Sequence, residues 1–178
     1  IMGGKVEDEW QTAFPLLAKD YALNDEVENG ERAAQGLPPL PFDETLAEAR
    51  NIKARDLIQT THWPNIDLIG AQLNLYWAEF QVPVWRMQLR SWPLWDALGN
   101  ALSGEGILDD YDIIMLDTPP ALGYLTINAL AAADILLVPL GASYLEFDST
   151  GRFFDMLYST FASIEDGENT VRRRSGLP

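Results

Sequence analysis

The stretch Tyr111-Asp112-Ile113-Ile114-Met115-Leu116-Asp117-Thr118-Pro119-Pro120 decides how the rest of the chain is read. An apolar run, Ile113 to Leu116, ends abruptly in an acid and a double proline. A short run rich in β-branched residues predicts a buried strand. The prolines have no N–H to give a ladder, so the strand must stop there. The chain would leave the sheet just after Asp117, fixing a carboxylate at the rim. In open α/β sheets that is where ligand chemistry is placed.

The residues downstream extend the pattern. Gly123 frees a turn, Thr126 is a candidate helix cap, and Ile127-Asn128-Ala129-Leu130-Ala131-Ala132-Ala133 is rich in helix formers. Asp134 breaks that helix, and Ile135-Leu136-Leu137-Val138-Pro139-Leu140 is a second apolar run. Strand, helix and strand in about 30 residues form a βαβ unit, whose strands should be parallel and whose crossover right-handed. Glu146 or Asp148 can then cap another helix through Phe153, Phe154, Met156, Leu157, Tyr158 and Phe161.

Upstream the pattern is less regular. Residues 1–42 mix acids with Gly30, Gly36, Pro38, Pro39 and Pro41, the composition of a surface excursion. Within it Thr12 to Ala22 predicts a short helix with Phe14, Leu17 and Tyr21 on one face and Pro15 in the first turn. Asp43 reads as an N-cap for a helix over Glu44 to Gln59, with Leu46, Ala49, Lys53 and Leu57 as its stripe. Ile66, Leu68 and Ile69 predict a buried strand. Asn74 then caps a short helix through Phe80, closed by Pro83. Ser91 caps the next one, in which Trp92, Trp95, Leu98 and Leu102 recur at helical spacing, with Pro93 in the first turn and Gly104 as the stop. The aromatic stripe reads as core packing. His62, the single histidine, reads as structural or exposed, so no catalytic pair can be built on it.

Bulk properties narrow the class. At 178 residues with 47% hydrophobic content and six tryptophans, one well-cored domain is expected. There is no cysteine, which excludes disulfides and thiolate metal sites. No apolar run approaches the ~20 residues of a membrane span and no signal peptide opens the chain, so a cytoplasmic location is expected. The formal net charge of −15 disfavours nucleic-acid binding by these residues alone. The one basic cluster, Arg172-Arg173-Arg174, is a candidate DNA contact against the plainer reading of a solvated tail.

Tyr111 to Gly141 resembles the ParA family of partitioning ATPases, in its plasmid RepA-like and ParA-like members. Asp117-Thr118-Pro119-Pro120 matches that family's Walker B region, Leu125 to Leu130 the helix after it, and Trp63 to Ala71, more loosely, the strand before it. The resemblance covers roughly Thr60 to Phe161. It implies an α/β fold: a three-layer P-loop NTPase-like parallel sheet with flanking helices. Residues 1–60 would be an acidic, partly helical surface segment and 61–178 the central part of the ATPase domain.

The family's deviant Walker A loop has no counterpart. Ile1-Met2-Gly3-Gly4-Lys5-Val6 offers two glycines and a lysine, but no preceding strand, and Val6 where a hydroxyl should hold Mg²⁺. The segment therefore reads as a turn, and the chain as an internal fragment lacking the first strand and the C-terminal strands. The resemblance implies ATP and Mg²⁺ as cofactors of the intact protein, neither of them bound by the fragment alone. Asp117 would be the catalytic acid, orienting a metal-bound water. Asp117, Thr118, Pro119, Pro120 and Gly123 would bind the nucleotide. The implied partners are a second copy, a ParB-like centromere-binding adaptor that stimulates hydrolysis, and DNA bound without sequence preference on the nucleoid, with no membrane. A MinD-like division-positioning ATPase and a non-catalytic interaction module on the same scaffold are the alternatives.

Overall fold

The computed structural model describes residues 12–40, 46 and 48–175. The chain falls into two compact units, Ile1–Asp134 and Ile135–Pro178.

The first unit is built on helix α1, Phe14–Ala34, with Pro15 in its opening turn. The amphipathic start is as expected, with Leu17 and Tyr21 buried and Phe14 packed against them. The helix continues twelve residues past Ala22, through Gly30. That corrects the expected surface excursion, since an exposed glycine costs a helix only about 1 kcal/mol. Gly36 ends it. Its φ of +70° places it in the left-handed region, and the Gly36 and Leu37 amides return to the Ala33 and Arg32 carbonyls.

The helix expected over 44–59 does not form among the described residues. Two 3₁₀ turns, Glu48–Asn51 and Ala54–Leu57, lead into strand β1, Ile58–Thr60. Tertiary bonds take the backbone groups a helix would need. Lys19 Nζ donates to the Ile52 carbonyl at 2.7 Å, and the Arg55 amide donates to Glu105. Burial pushes Glu105 up, but hydrogen bonds from Lys19 and from the Ala54 and Arg55 amides outweigh it and hold the carboxyl below its ordinary range. Asp43 lies outside the described residues.

β1 pairs with β2, Asp67–Ile69, in the register Ile58↔Ile69, Gln59↔Leu68, Thr60↔Asp67. The pair is antiparallel, because so short a connection cannot make the crossover that parallel strands need. Asn65 (φ +63°) turns the connection, and Thr61 Oγ1 donates to the Ile66 carbonyl at 2.6 Å. His62 is exposed.

Asn74 falls in a 3₁₀ turn, Leu73–Trp77, that runs into α2, Ala78–Gln88. Pro83 lies inside α2 rather than closing it. It forgoes one backbone bond, while Ala78, Val82 and Trp85 bury on the same helix. Arg86 donates to the Arg90 and Trp92 carbonyls, fixing the exit. Ser91 is not a cap; its hydroxyl donates to Glu28. The next helix is a 3₁₀ turn, Leu94–Asp96, followed by α3, Ala97–Ser103, with Gly104 at its end as expected.

The main core joins α1, α2 and α3. Tyr21, Trp85 and Trp92 form an aromatic triad with centroids 5.1 to 6.1 Å apart. Within it Trp92 Nε1 donates to Asp20 Oδ2 at 2.7 Å, and Asn100 donates to Asp20 Oδ1. Burial pushes the carboxyls of Asp20 and Asp25 above their ordinary value, against hydrogen bonds from Trp92 and Asn100 in the first case and from Asn29 in the second. An acid whose folded pKa is raised binds its proton more tightly when folded. Its stabilisation is complete below the unfolded value and is lost as pH rises through the folded one. Asp25→Asn should therefore gain stability relative to the parent between pH 4 and pH 7, read as a pH-dependent difference in urea midpoints. A constant difference would place the Asp25 carboxyl at its ordinary pKa.

The strand expected at Ile113 to Leu116 is not paired. The described residues hold a single sheet, β1–β2, and a ladder needs a neighbour. Ile113 and Met115 are each 80% exposed. The same holds for Ile135 to Leu140 in the second unit, where Ile135 is 84% exposed. The parallel sheet of the expected architecture is therefore not formed among the described residues.

Between these runs α4, Tyr124–Ala132, does form. In the second unit α5, Tyr144–Ser175, starts two to four residues before the expected caps. Ser143 is its cap, accepting the Glu146 amide at 3.3 Å. Arg172, Arg173 and Arg174 fall in the last turns of α5.

Candidate nucleotide loop

The residues singled out in the sequence, Asp117, Thr118, Pro119, Pro120 and Gly123, form one connected loop ending at α4. Asp117 and Thr118 are exposed. Asp117 is in neither a helix nor a paired strand, so the sheet rim expected to carry it is not present among the described residues. After it the double proline turns the chain tightly: the Ala121 amide donates to the Pro119 carbonyl at 2.8 Å.

Thr126 is not the helix cap. It lies on the first turn of α4, buried, and its Oγ1 reaches back to the Ala121 carbonyl at 2.6 Å and the Pro119 carbonyl at 3.4 Å. The hydroxyl that was expected to start the helix instead pins the loop to it. Gly123 holds the capping position, with no side chain to offer.

The cap comes from a distance. Glu79 Oε2 accepts the Tyr124 amide at 2.7 Å and Oε1 the Leu125 amide at 3.0 Å. Nothing local in the sequence marks Glu79, which is 45 residues from Tyr124. The remainder of α4 is seated by side chains. Tyr124 stacks on Trp95, with centroids 5.6 Å apart and planes 5° from parallel. The buried Asn128 accepts the Leu98 amide and donates to the Tyr124 carbonyl. Ala132 Cβ lies against Gly99, where an added Cβ would be 3.7 Å away.

Chemically the loop offers one free carboxylate, one free hydroxyl and a helix start. Among the described residues no cluster of three or more His, Cys, Asp or Glu could hold a metal by itself. Mg²⁺ bound with a nucleotide keeps several waters and takes only one or two carboxylates, so a single exposed Asp117 fits a water-mediated contact. Ile1 to Val6 lie outside the described residues. No described helix is long and apolar enough to cross a membrane.

A family model described as an AAA domain matches residues 27–170. The chain is 34% identical over 108 residues to protein SopA of Escherichia coli, covering 61% of this chain and 28% of that protein. It is 35% identical over 101 residues to the sporulation initiation inhibitor protein Soj of Bacillus subtilis, covering 56% and 36%. It is 32% identical over 123 residues to the chromosome partitioning protein ParA of Myxococcus xanthus, covering 69% and 39%. No solved structure matches the chain. The chain belongs to this AAA-domain family and is similar to members of the ParA family. It spans between a quarter and two fifths of the length of these relatives.

Proposed function

We propose that this chain is the central part of an ATPase that partitions plasmid or chromosomal DNA, with Asp117 at the nucleotide's magnesium ion and the loop to Gly123 sensing the terminal phosphate. The supporting observation is that the matched region contains a solvent-facing carboxylate on a loop tied to a helix start by Thr126. Similarity to the chromosome partitioning protein ParA of Myxococcus xanthus takes the reading from a general ATPase to partitioning.

In this reading Asp117 orients a metal-bound water, and Thr118, Pro119, Pro120 and Gly123 form the surrounding wall. Magnesium, when bound with ATP, supplies charge neutralisation at the β- and γ-phosphates. Phosphate contacts order such loops and hydrolysis releases them, which makes them switches. The exposed runs Ile113–Leu116 and Ile135–Leu140 support a further point. They have the composition of inner strands, and a parallel sheet completed by residues outside this chain would cover them. Its remaining strands would bring the glycine–lysine loop whose backbone N–H groups cradle phosphate.

The intact protein would act as an ATP-bound dimer in the cytoplasm, on the nucleoid. It would bind DNA without sequence preference, with Arg172, Arg173 and Arg174 as candidate contacts, and a ParB-like adaptor would stimulate its hydrolysis. No observation favours the MinD-like or the non-catalytic alternative.

Isothermal titration tests this reading directly. The 178-residue chain should show no Mg²⁺-dependent ATP binding in the micromolar range. The same chain extended to the natural ends of its gene should bind. Binding by the short chain would show that no glycine–lysine loop from outside it is needed, and failure of the extended chain would remove the ATPase reading.

A further inference from the structure

One carboxylate joins helices that lie far apart in sequence. Glu79 stands in the first turn of α2, half-buried, and accepts both the Tyr124 and the Leu125 amides. These are opening N–H groups of α4, which no bond within a helix can satisfy. A carboxylate suits them doubly. It forms charge-assisted hydrogen bonds, and it opposes the positive end of the helix dipole.

Gly123 is the other half of the contact. A Cβ at this position would lie 2.5 Å from each Glu79 carboxylate oxygen. Its φ of −97° is open to any residue, so what glycine provides here is room for the Glu79 carboxylate, which a Cβ would displace, and not backbone freedom. Beyond Gly123, Thr126 holds the Ala121 and Pro119 carbonyls. The loop from Asp117 is thus anchored to the start of α4, and the start of α4 is anchored to α2. α2 is itself held firmly, with Ala78 and Val82, the neighbours of Glu79 on its inner side, fully buried in the main core.

We propose that Glu79 is a positioning residue for the Asp117 loop: it clasps α4 to α2 and so sets where the loop stands for phosphoryl transfer. The clasp follows from the contacts, while its link to phosphoryl transfer rests on the nucleotide reading above. Glu79 touches no substrate in this scheme and acts through α4 alone.

Amide hydrogen exchange on the 178-residue chain tests the clasp. Glu79→Ala should speed exchange at Tyr124 and Leu125 by about tenfold or more, with Ala121 following and the Leu89 amide unchanged. Glu79→Gln keeps one acceptor oxygen, while its amide nitrogen cannot accept the other N–H, and should restore protection at no more than one of the two amides. Gly123→Ala, which displaces the carboxylate without altering α2, should release the same amides. Unchanged exchange at Tyr124 and Leu125, or loss of protection throughout the unit in both alanine variants, would overturn the clasp.

In the extended protein Glu79→Ala should lower kcat by about tenfold and leave KM within about twofold, with Glu79→Gln, which keeps one of the two acceptors, recovering part of the rate. Parent-like kcat in Glu79→Ala would cut the clasp off from the chemistry. If the extended parent hydrolyses no ATP, the nucleotide reading fails, and the exchange result still decides the clasp.

Discussion

Trp92→Ala is expected to destabilise the first unit by about 4 kcal/mol, within the range for removing a buried tryptophan. The side chain is fully buried at the junction of three elements. Its ring meets Tyr21 edge-on at 5.2 Å and Trp85 at 6.1 Å, so alanine leaves a cavity and removes two aromatic contacts. Its Nε1 is also a donor to Asp20, whose carboxyl burial already pushes upward. Without that donor the carboxylate keeps Asn100 and the longer contact from Asn24. Trp92→Phe keeps a six-membered ring against Tyr21 and Trp85 but loses the N–H together with the rest of the indole, and should cost less than the alanine variant, about 1–3 kcal/mol. Urea denaturation followed by circular dichroism measures both. A cost below about 1 kcal/mol for the alanine variant would mean that the triad does not hold this unit together.

The residues of that triad show what a sequence can and cannot reveal. Tyr21 was legible because α1 is amphipathic from its first turn, and Trp92 because an aromatic stripe at helical spacing packs inward whatever its exact backbone. The backbone was the harder part. Trp92 precedes the 3₁₀ turn rather than sitting in a helix capped by Ser91, because that hydroxyl serves Glu28 instead. The helix expected over 44–59 failed for a related reason: Lys19 and Glu105, remote in sequence, claim backbone groups near Ile52 and Arg55. Composition cannot report such bonds.

The apolar runs at Ile113 and Ile135 carry a different lesson. Their side chains specify strands, but a strand is a relation between two segments. Among the described residues neither run has a partner. At the loop itself, the residues were legible from Asp117 to Gly123 and their support was not. Thr126 was visible as a hydroxyl near a helix start, but its direction was not, and Glu79 left no local sign.

Asp117→Ala separates function from folding most sharply. In the protein extended to its natural ends, ATP hydrolysis should fall by about 10²-fold or more. The carboxylate is the one acidic group the loop offers to a magnesium-bound water, and charge placed for the transition state is where catalysis of this kind gets most of its rate. Asp117→Asn should lose nearly as much, since the amide keeps the shape and loses the charge. Stability should not follow activity. Asp117 is exposed and lies outside every helix and strand, and substitutions at such positions usually change stability by no more than about 0.5 kcal/mol. Steady-state hydrolysis and a urea midpoint on the same samples therefore make the test. Parent-like hydrolysis in both variants would remove Asp117 from the chemistry and leave the double-proline loop as a connection leading into α4. A large fall in stability together with activity would make Asp117 a structural residue, held by contacts that the extended protein adds.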